Sequence, residues 1–287
     1  MKLIEEELGA SIAETERANS NEMLYHYTSV EGLKGILDNE SLWLTQIQFM
    51  NDSKEFKHAV EIAYQIIKGK KFKSEDRFLK YYEALENTLS VSNGARIFIF
   101  SMTENPDQLS QWRGYCGLGG YSIGFNKSSI LELASAQYYR LEKCIYDDSE
   151  KIKIIENVID RSVAYFLRQK GRSDYSKIVH DSKFYGEFLM VGSIMKHSSF
   201  VEENEWRLIG GPFSWKADNA RWRTRDGMIL PYAEFRLKRD EDGYLPISEV
   251  YIGPCKEKNL AADSLKVYKQ VTKNLFRMRY SKSPYRG

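Results

Sequence analysis

An antiparallel α+β fold is what this 287-residue sequence predicts, and three observations carry the expectation. Short β-branched and aromatic runs are interspersed with helical spacings, without the regular strand-helix alternation of a parallel sheet. The dipeptide Asp226-Gly227 stands between two strand-like runs, 221–237, and reads as a hairpin turn. No linker-like composition shift and no fixed-period repeat divides the chain. One domain over residues 22–287 is therefore expected, with a helical arm at 1–21 before it and a helical insertion at about 148–197 within it.

In chain order, residues 1–21 carry weak helical spacing (Leu3, Ile4, Leu8, Ile12) among many charges; an arm, a partner helix and a frayed end all fit. Residues 23–29 read as a short strand. Ser29 is a good N-cap for the next helix, in which Val30, Leu33, Ile36 and Leu37 share a face and which Asn39 ends. A strand follows at 42–45. Asn51 and Asp52 lead into a helix with Phe56, Ala59, Val60, Ala63, Ile66 and Ile67 on one side. Ser74 begins a third, carrying Phe78, Tyr81, Leu85 and Leu89.

The stretch 98–125 organises the rest. A buried strand from Ile97 ends at 101–103, and Asn105-Pro106 cannot continue a ladder. Residues 109–115 resemble an amphipathic turn of helix, and Gly117, Gly119 and Gly120 precede a strand at 121–125. A short helix (129–136), a strand (138–146) and two long helices follow, one through Ile152 to Phe166 and one through Ile178 to Ile194. Residues 200–209 read as strand. Pro231 places the second hairpin strand at a sheet edge. A strand at 247–252 and a helix at 259–275 close the chain.

Composition excludes several classes. Hydrophobic residues make up 42%, enough for a core without staples. The 42 Lys+Arg and 40 Asp+Glu leave a net charge of +2, so any nucleic-acid surface is local. Cys116, Cys144 and Cys255 are odd in number and far apart, which fits a reducing cytoplasm and no metal centre. Acids occupy the first residues, and no eighteen apolar residues run together. A cytoplasmic chain with no membrane partner is expected.

Two groups are candidates for chemistry. His26 sits in a short strand between two tyrosines, where a hydrogen-bonded structural role competes with a catalytic one. Glu203 and Glu205, two apart in the expected strand 200–209, would share a face opposite Trp206. Such a pair lets one carboxylate bind a ligand hydroxyl while the other orients or activates a nucleophile; a solvated pair is the plainer alternative. No phosphate loop, His-Glu-x-x-His or Gly-x-Ser-x-Gly is present, and the glycines at 114–120 do not fit the dinucleotide fingerprint.

Several segments together carry a resemblance. They are Tyr25-His26-Tyr27-Thr28, Gly35-Ile36-Leu37, Leu42-Trp43-Leu44, Phe49-x-Asn51-Asp52, Phe100-Ser101, Gln111-Trp112-x-x-Tyr115, Gly120-x-x-Ile123-Gly124-Phe125, Asn204-Glu205-Trp206-Arg207 and Val250-Tyr251-Ile252-Gly253-Pro254. In this order the chain resembles a widespread bacterial family of unknown function (domain of unknown function 2971), which tends to occur among abortive-infection and anti-phage genes. A looser similarity is to ADP-ribosyltransferases of the His-Tyr-Glu type. That second resemblance implies two small antiparallel sheets forming a cleft that bends NAD, the substrate. His26 would hydrogen-bond the adenosine ribose, the Tyr27 main chain would hold the nicotinamide amide, and Thr28 and Ser101 would line the cleft. Trp112 or Tyr115 would stack on the nicotinamide, Arg113 or Arg207 would pair with the pyrophosphate, and Glu205, with Glu203 beside it, would bind the nicotinamide-ribose hydroxyl. A carboxylate under the ribose favours the oxocarbenium-like transition state over the ground state.

The function expected on this resemblance is an NAD-consuming ADP-ribosyltransferase or NAD glycohydrolase, acting as a toxin in phage defence. Its acceptor would be a protein or nucleic acid, and an inhibitory protein would restrain it. A second reading is a catalytically silent nucleotide- or protein-binding module, a sensor or antitoxin-like partner. It is favoured by Tyr27, where many transferases have a small residue, and by the unremarkable net charge of +2. A third is an RNA-directed nuclease, resting on the basic clusters 68–73 and 277–286.

Overall fold

The structure, a computed structural model, describes residues 22–50, 53–72, 75–90, 96–117, 119–213, 220–225 and 227–284. The expected arm at 1–21 lies outside them, as do Asn51, Asp52, Ser74 and Asp226. In chain order the elements are β1 (Met23–Ser29), α1 (Val30–Asn39), β2 (Ser41–Gln46), α2 (Ser53–Lys71), α3 (Asp76–Ser90) and β3 (Phe98–Thr103). Then come α4 (Leu109–Tyr115), β4 (Gly120–Asn126), α5 (Lys127–Ala136), β5 (Arg140–Lys143), α6 (Asp148–Leu167), α7 (Tyr175–Asp181) and α8 (Phe184–Ser193). The last are β6 (Glu205–Gly210), β7 (Ala220–Arg225), β8 (Met228–Arg236), β9 (Ile247–Ile252), α9 (Lys258–Val271) and β10 (Arg277–Tyr280). The chain is thus mixed α and β, and its strand pairs are antiparallel except β9 with β10.

Two compact units emerge. The first comprises the described parts of Met1–Leu33, Pro106–Leu133 and Lys238–Gly287; the second, Lys34–Asn105 and Ala134–Leu237. In unit 1 the ladder runs β10-β9-β4-β1. Strand alternation puts Tyr25 and Tyr27 on one side of β1 and His26 on the other. Tyr25 donates its hydroxyl to Glu249 of β9 at 2.8 Å, and this contact needs the strand between them to be bare. A Cβ on Gly124 would stand 2.8 Å from the Tyr25 ring and 3.1 Å from Glu249. Helix α4 lays Trp112 on Tyr27, ring centroids 4.7 Å apart and nearly perpendicular.

Unit 2 orders its strands β5-β6-β3-β2-β8-β7. Its helices α2, α3, α6, α7 and α8 pack together around a core that includes Phe56, Tyr81, Leu85, Ile159, Phe166 and Phe188. Tyr81 stacks on Phe166 at 4.3 Å and donates its hydroxyl to the Ser162 carbonyl at 2.9 Å. The stretch expected as an insertion, 148–197, therefore supplies half of a helical core. Asp147 starts α6 by accepting the Glu150 amide at 2.8 Å.

Five expectations change. The helix expected through Ile178 to Ile194 is two, α7 and α8, because Lys183 takes a left-handed conformation (φ 62°) between them. The strand expected at 138–146 spans only β5, since Tyr138 is also left-handed (φ 62°). Residues 198–203 form a 3₁₀ turn, and Asn204 (φ 42°) reverses the chain before β6, so Glu203 is not on Glu205's strand. Strand β8 is no edge: β7 pairs with it on one side and β2 on the other, and β2 begins its pairing at Tyr232, one residue past Pro231. The proline's missing N–H thus falls where β2 offers no ladder. At the C-terminal end, α9 stops at Val271 and the basic segment after it forms β10.

Candidate functional site

Glu205 opens β6 directly after the left-handed Asn204. Its amide donates to the Tyr146 hydroxyl at 2.8 Å, and its carbonyl accepts the Cys144 amide at 2.9 Å. Two residues on, Arg207 projects to the same side of the strand. The Glu205 carboxylate accepts Nε of Arg207 at 3.0 Å and Nη2 at 3.1 Å, and Nζ of Lys196 at 2.7 Å. Lys196 also meets Glu203 at 2.9 Å. Arg207 reaches Glu55 of α2 at 3.0 Å and the Ser193 carbonyl at the end of α8 at 2.7 Å. Three carboxylates thus face two cations, and Glu205, Arg207 and Lys196 are 3%, 2% and 1% exposed.

Burial alone would raise the Glu205 pKa, yet the charges and hydrogen bonds of Arg207 and Lys196 hold it at about 2. Burial opposes the charge on Arg207, but Cys144, Glu205 and Glu55 push its pKa above the ordinary value. The carboxylate is therefore anionic and paired with both cations, which it shares with Glu203 and Glu55. Ser101 of β3 lies opposite Arg207 in the β3–β6 register, half-buried. Unit 2 so brings together Ser101, Glu203, Glu205 and Arg207 from the candidate set. Among the described residues no group of three or more His, Cys, Asp or Glu side chains is placed to hold a metal ion.

Unit 1 holds the others. His26 is half-buried on β1, opposite Ile123 of β4. Tyr27 is 4% exposed; its hydroxyl accepts the Gln108 amide at 2.8 Å, and burial raises its pKa. Thr28 gives its carbonyl to the Cys116 thiol at 3.5 Å. Trp112 is 1% exposed and donates its indole N–H to Asp107 at 2.7 Å, with Gly253 against its six-membered ring. Such an indole is a core residue as it stands, with no face open to a planar ligand. Arg113 is exposed, and Tyr115 is 44% exposed.

Lys196, Glu55 and Asp107 escape sequence reasoning. Lys196 directly follows the apolar pair Ile194-Met195, and a cation there is the one local signal of a buried partner. Glu55 lies on a helix 152 positions before Arg207, and nothing local marks it. Asp107 collects the Trp112 indole, the Ser281 hydroxyl at 2.5 Å and the Lys282 amide at 2.7 Å.

Fold and site together define a mostly antiparallel α+β protein with a buried, ion-paired acid cluster at the start of β6. Over residues 111–208 the chain matches the model of a family described as a protein of unknown function (DUF2971); the match runs from α4 to β6 and takes in Trp112, Tyr115, Glu203, Glu205 and Arg207. No curated protein and no solved structure matches the chain. No helix among the described residues is long and apolar enough to cross a membrane.

Proposed function

We propose that the chain is a catalytically silent nucleotide-binding module, built on an ADP-ribosyltransferase-like plan, in which Glu205 anchors the structure and does not turn over NAD. The observation that carries this reading is the double ion pair on the Glu205 carboxylate, which is 3% exposed. Oxocarbenium stabilisation requires an acid whose negative potential reaches the substrate ribose. Here Arg207 and Lys196 occupy the carboxylate at contact distance, so its oxygens are engaged within the cluster and not turned to a ligand. The buried indole of Trp112 points the same way, since a stacking platform needs an open face.

The test is incubation of the purified chain with NAD labelled in the nicotinamide ring. No nicotinamide is expected to be released, while NAD, ADP-ribose or AMP raises the melting temperature by mass action. Release that vanishes in Glu205→Gln, with circular dichroism unchanged, would overturn the silent reading. The absence of any thermal shift with all three nucleotides would overturn the binding reading.

A second reading, NAD consumption with Glu205 as the acid, has one observation in its favour. The carboxylate stays ionised down to about pH 2 and is rigidly held, which is the preorganisation such a step demands. Nicotinamide release in the same assay is its signature.

A further inference from the structure

Strand β7 presents a second set of charges, remote in kind from the cluster at β6. Arg221, Arg223 and Arg225 alternate with Trp222 and Thr224, so their side chains leave one face of the strand at intervals of about 6.6 Å. Among the described residues β7 pairs with β8 alone and ends the strand order. The register sets Tyr232 beside Arg221 and, one strand further, Thr45 beside Tyr232 and Trp43 beside Glu234. Trp43 and Tyr232 stack with centroids 4.5 Å apart. The Arg223 guanidinium lies 6.0 Å from each ring centroid and donates Nη2 to Thr45 Oγ1 at 2.5 Å.

Arg223 is the anomaly. Its Nε is buried and has no hydrogen-bond partner. No carboxylate among the described residues pairs with it; the acid on this face, Glu234, is engaged by Arg221 at 3.3 Å. Burial first, and then the charge of Arg225, lower its pKa. Charged side chains on an edge strand commonly guard against edge-to-edge pairing, and the exposed Arg221 and Arg225 suit that role. A half-buried guanidinium without a counter-ion does not, because desolvating it costs stability that a solvated lysine would not. The cost is offset when a ligand brings the missing negative charge.

Arg221 and Arg225 are exposed and meet Glu234 at 3.3 Å and the Phe49 carbonyl at 3.4 Å respectively, contacts that each can exchange for a phosphate. A single phosphate would use one of the three arginines. Three at strand spacing match a repeating anion, and Trp222, 59% exposed on the reverse face, offers a surface for a base at the same edge. We propose that the arginine face of β7 binds the phosphodiester backbone of a single-stranded nucleic acid, with Arg223 receiving the phosphate whose charge it lacks. This inference stands apart from the reading of Glu205.

The experiment is fluorescence anisotropy of the full chain with a labelled oligouridine of about twelve nucleotides, within the span of a single-strand groove. Binding is expected at about 50 mM salt, with log Kobs falling against log[salt] at a slope near −2, about −0.7 for each of three phosphates. Arg223→Gln should weaken binding about tenfold and flatten the slope, and Lys170→Gln on another surface of unit 2 should leave both unchanged. Should Arg223→Gln fail to fold, the exposed pair R221Q/R225Q gives the same reading. No binding at low salt, or wild-type affinity in both arginine variants, overturns the proposal. So does equal competition by inorganic phosphate, which would mean a simple anion site, or equal affinity for duplex RNA.

Discussion

Glu205 shows how much one side chain's surroundings decide. A carboxylate normally titrates near 4.5; in the fold this one titrates at about 2. A depressed folded pKa means that the unfolded chain binds the proton more readily, so the group's stabilisation is complete above about pH 4.5 and is lost as the pH falls toward 2. The drop from 4.5 to about 2 corresponds to a contribution of about 3 kcal/mol. Urea denaturation from pH 7 to pH 2.5 should therefore show an acid limb that steepens below pH 4.5. In Glu205→Gln the chain should start less stable and lose less over that limb, because the titrating group is gone. An unchanged limb in the variant would assign acid sensitivity to other carboxylates.

At the scale of elements, close approach matters more than propensity. Helix α4 is held against the end of β9 by a glycine: a Cβ on Gly253 would stand 2.7 Å from the Trp112 ring and 2.8 Å from the Gly120 carbonyl oxygen, which the Gly253 amide itself meets at 2.8 Å. Gly253→Ala should cost about 1–3 kcal/mol by overpacking, read as a lower urea midpoint, with the larger loss of near-ultraviolet Trp signal expected around α4. A midpoint equal to wild type would mean that the indole has room to move. The same contrast explains what the sequence disclosed. Strands 23–29 and 247–252, the Ser29 cap and the short helix at 109–115 were legible because residue pattern and turn chemistry agree there, and Gly32 does donate its amide to Ser29 at 3.2 Å. Lys183, Tyr138 and Asn204 carry no glycine to announce their positive φ, so a broken helix, a shortened strand and a 3₁₀ turn read as continuous. β10 was hidden by its charges: Arg277 and Arg279 look like a solvated tail until Glu249, 3.3 Å from Arg279, supplies the reason for order. Of the site, Glu205 and Arg207 were singled out in the sequence, but the spacing argument paired Glu205 with Glu203 on one strand. The ion pair with Arg207, like Lys196 and Glu55, arrives through the folded structure alone.

The whole chain carries three thiols and no disulfide, and their burial makes them reporters on each unit. Cys116, 4% exposed in unit 1, has its pKa pushed up to about 12 by burial. Cys144, 5% exposed in unit 2, is raised as well, burial outweighing the nearby Arg207 charge. Cys255 is less buried. Because the thiolate is the reactive form, a disulfide reagent at neutral pH should modify one thiol quickly in the native protein and all three in denaturant. The slow pair then times local opening. Gly253→Ala loosens the contact between Gly253 and Gly120, beside which Cys116 sits, and should hasten Cys116. Arg207→Met removes one of the two cations that hold the Glu205 side chain, leaving Lys196; the Glu205 carbonyl holds the Cys144 amide, so the change should hasten Cys144. Mass mapping of the modified peptides distinguishes the two. Three fast thiols in the wild type would contradict the packing of both cores, and equal acceleration of both slow thiols by either variant would mean that the two units open as one.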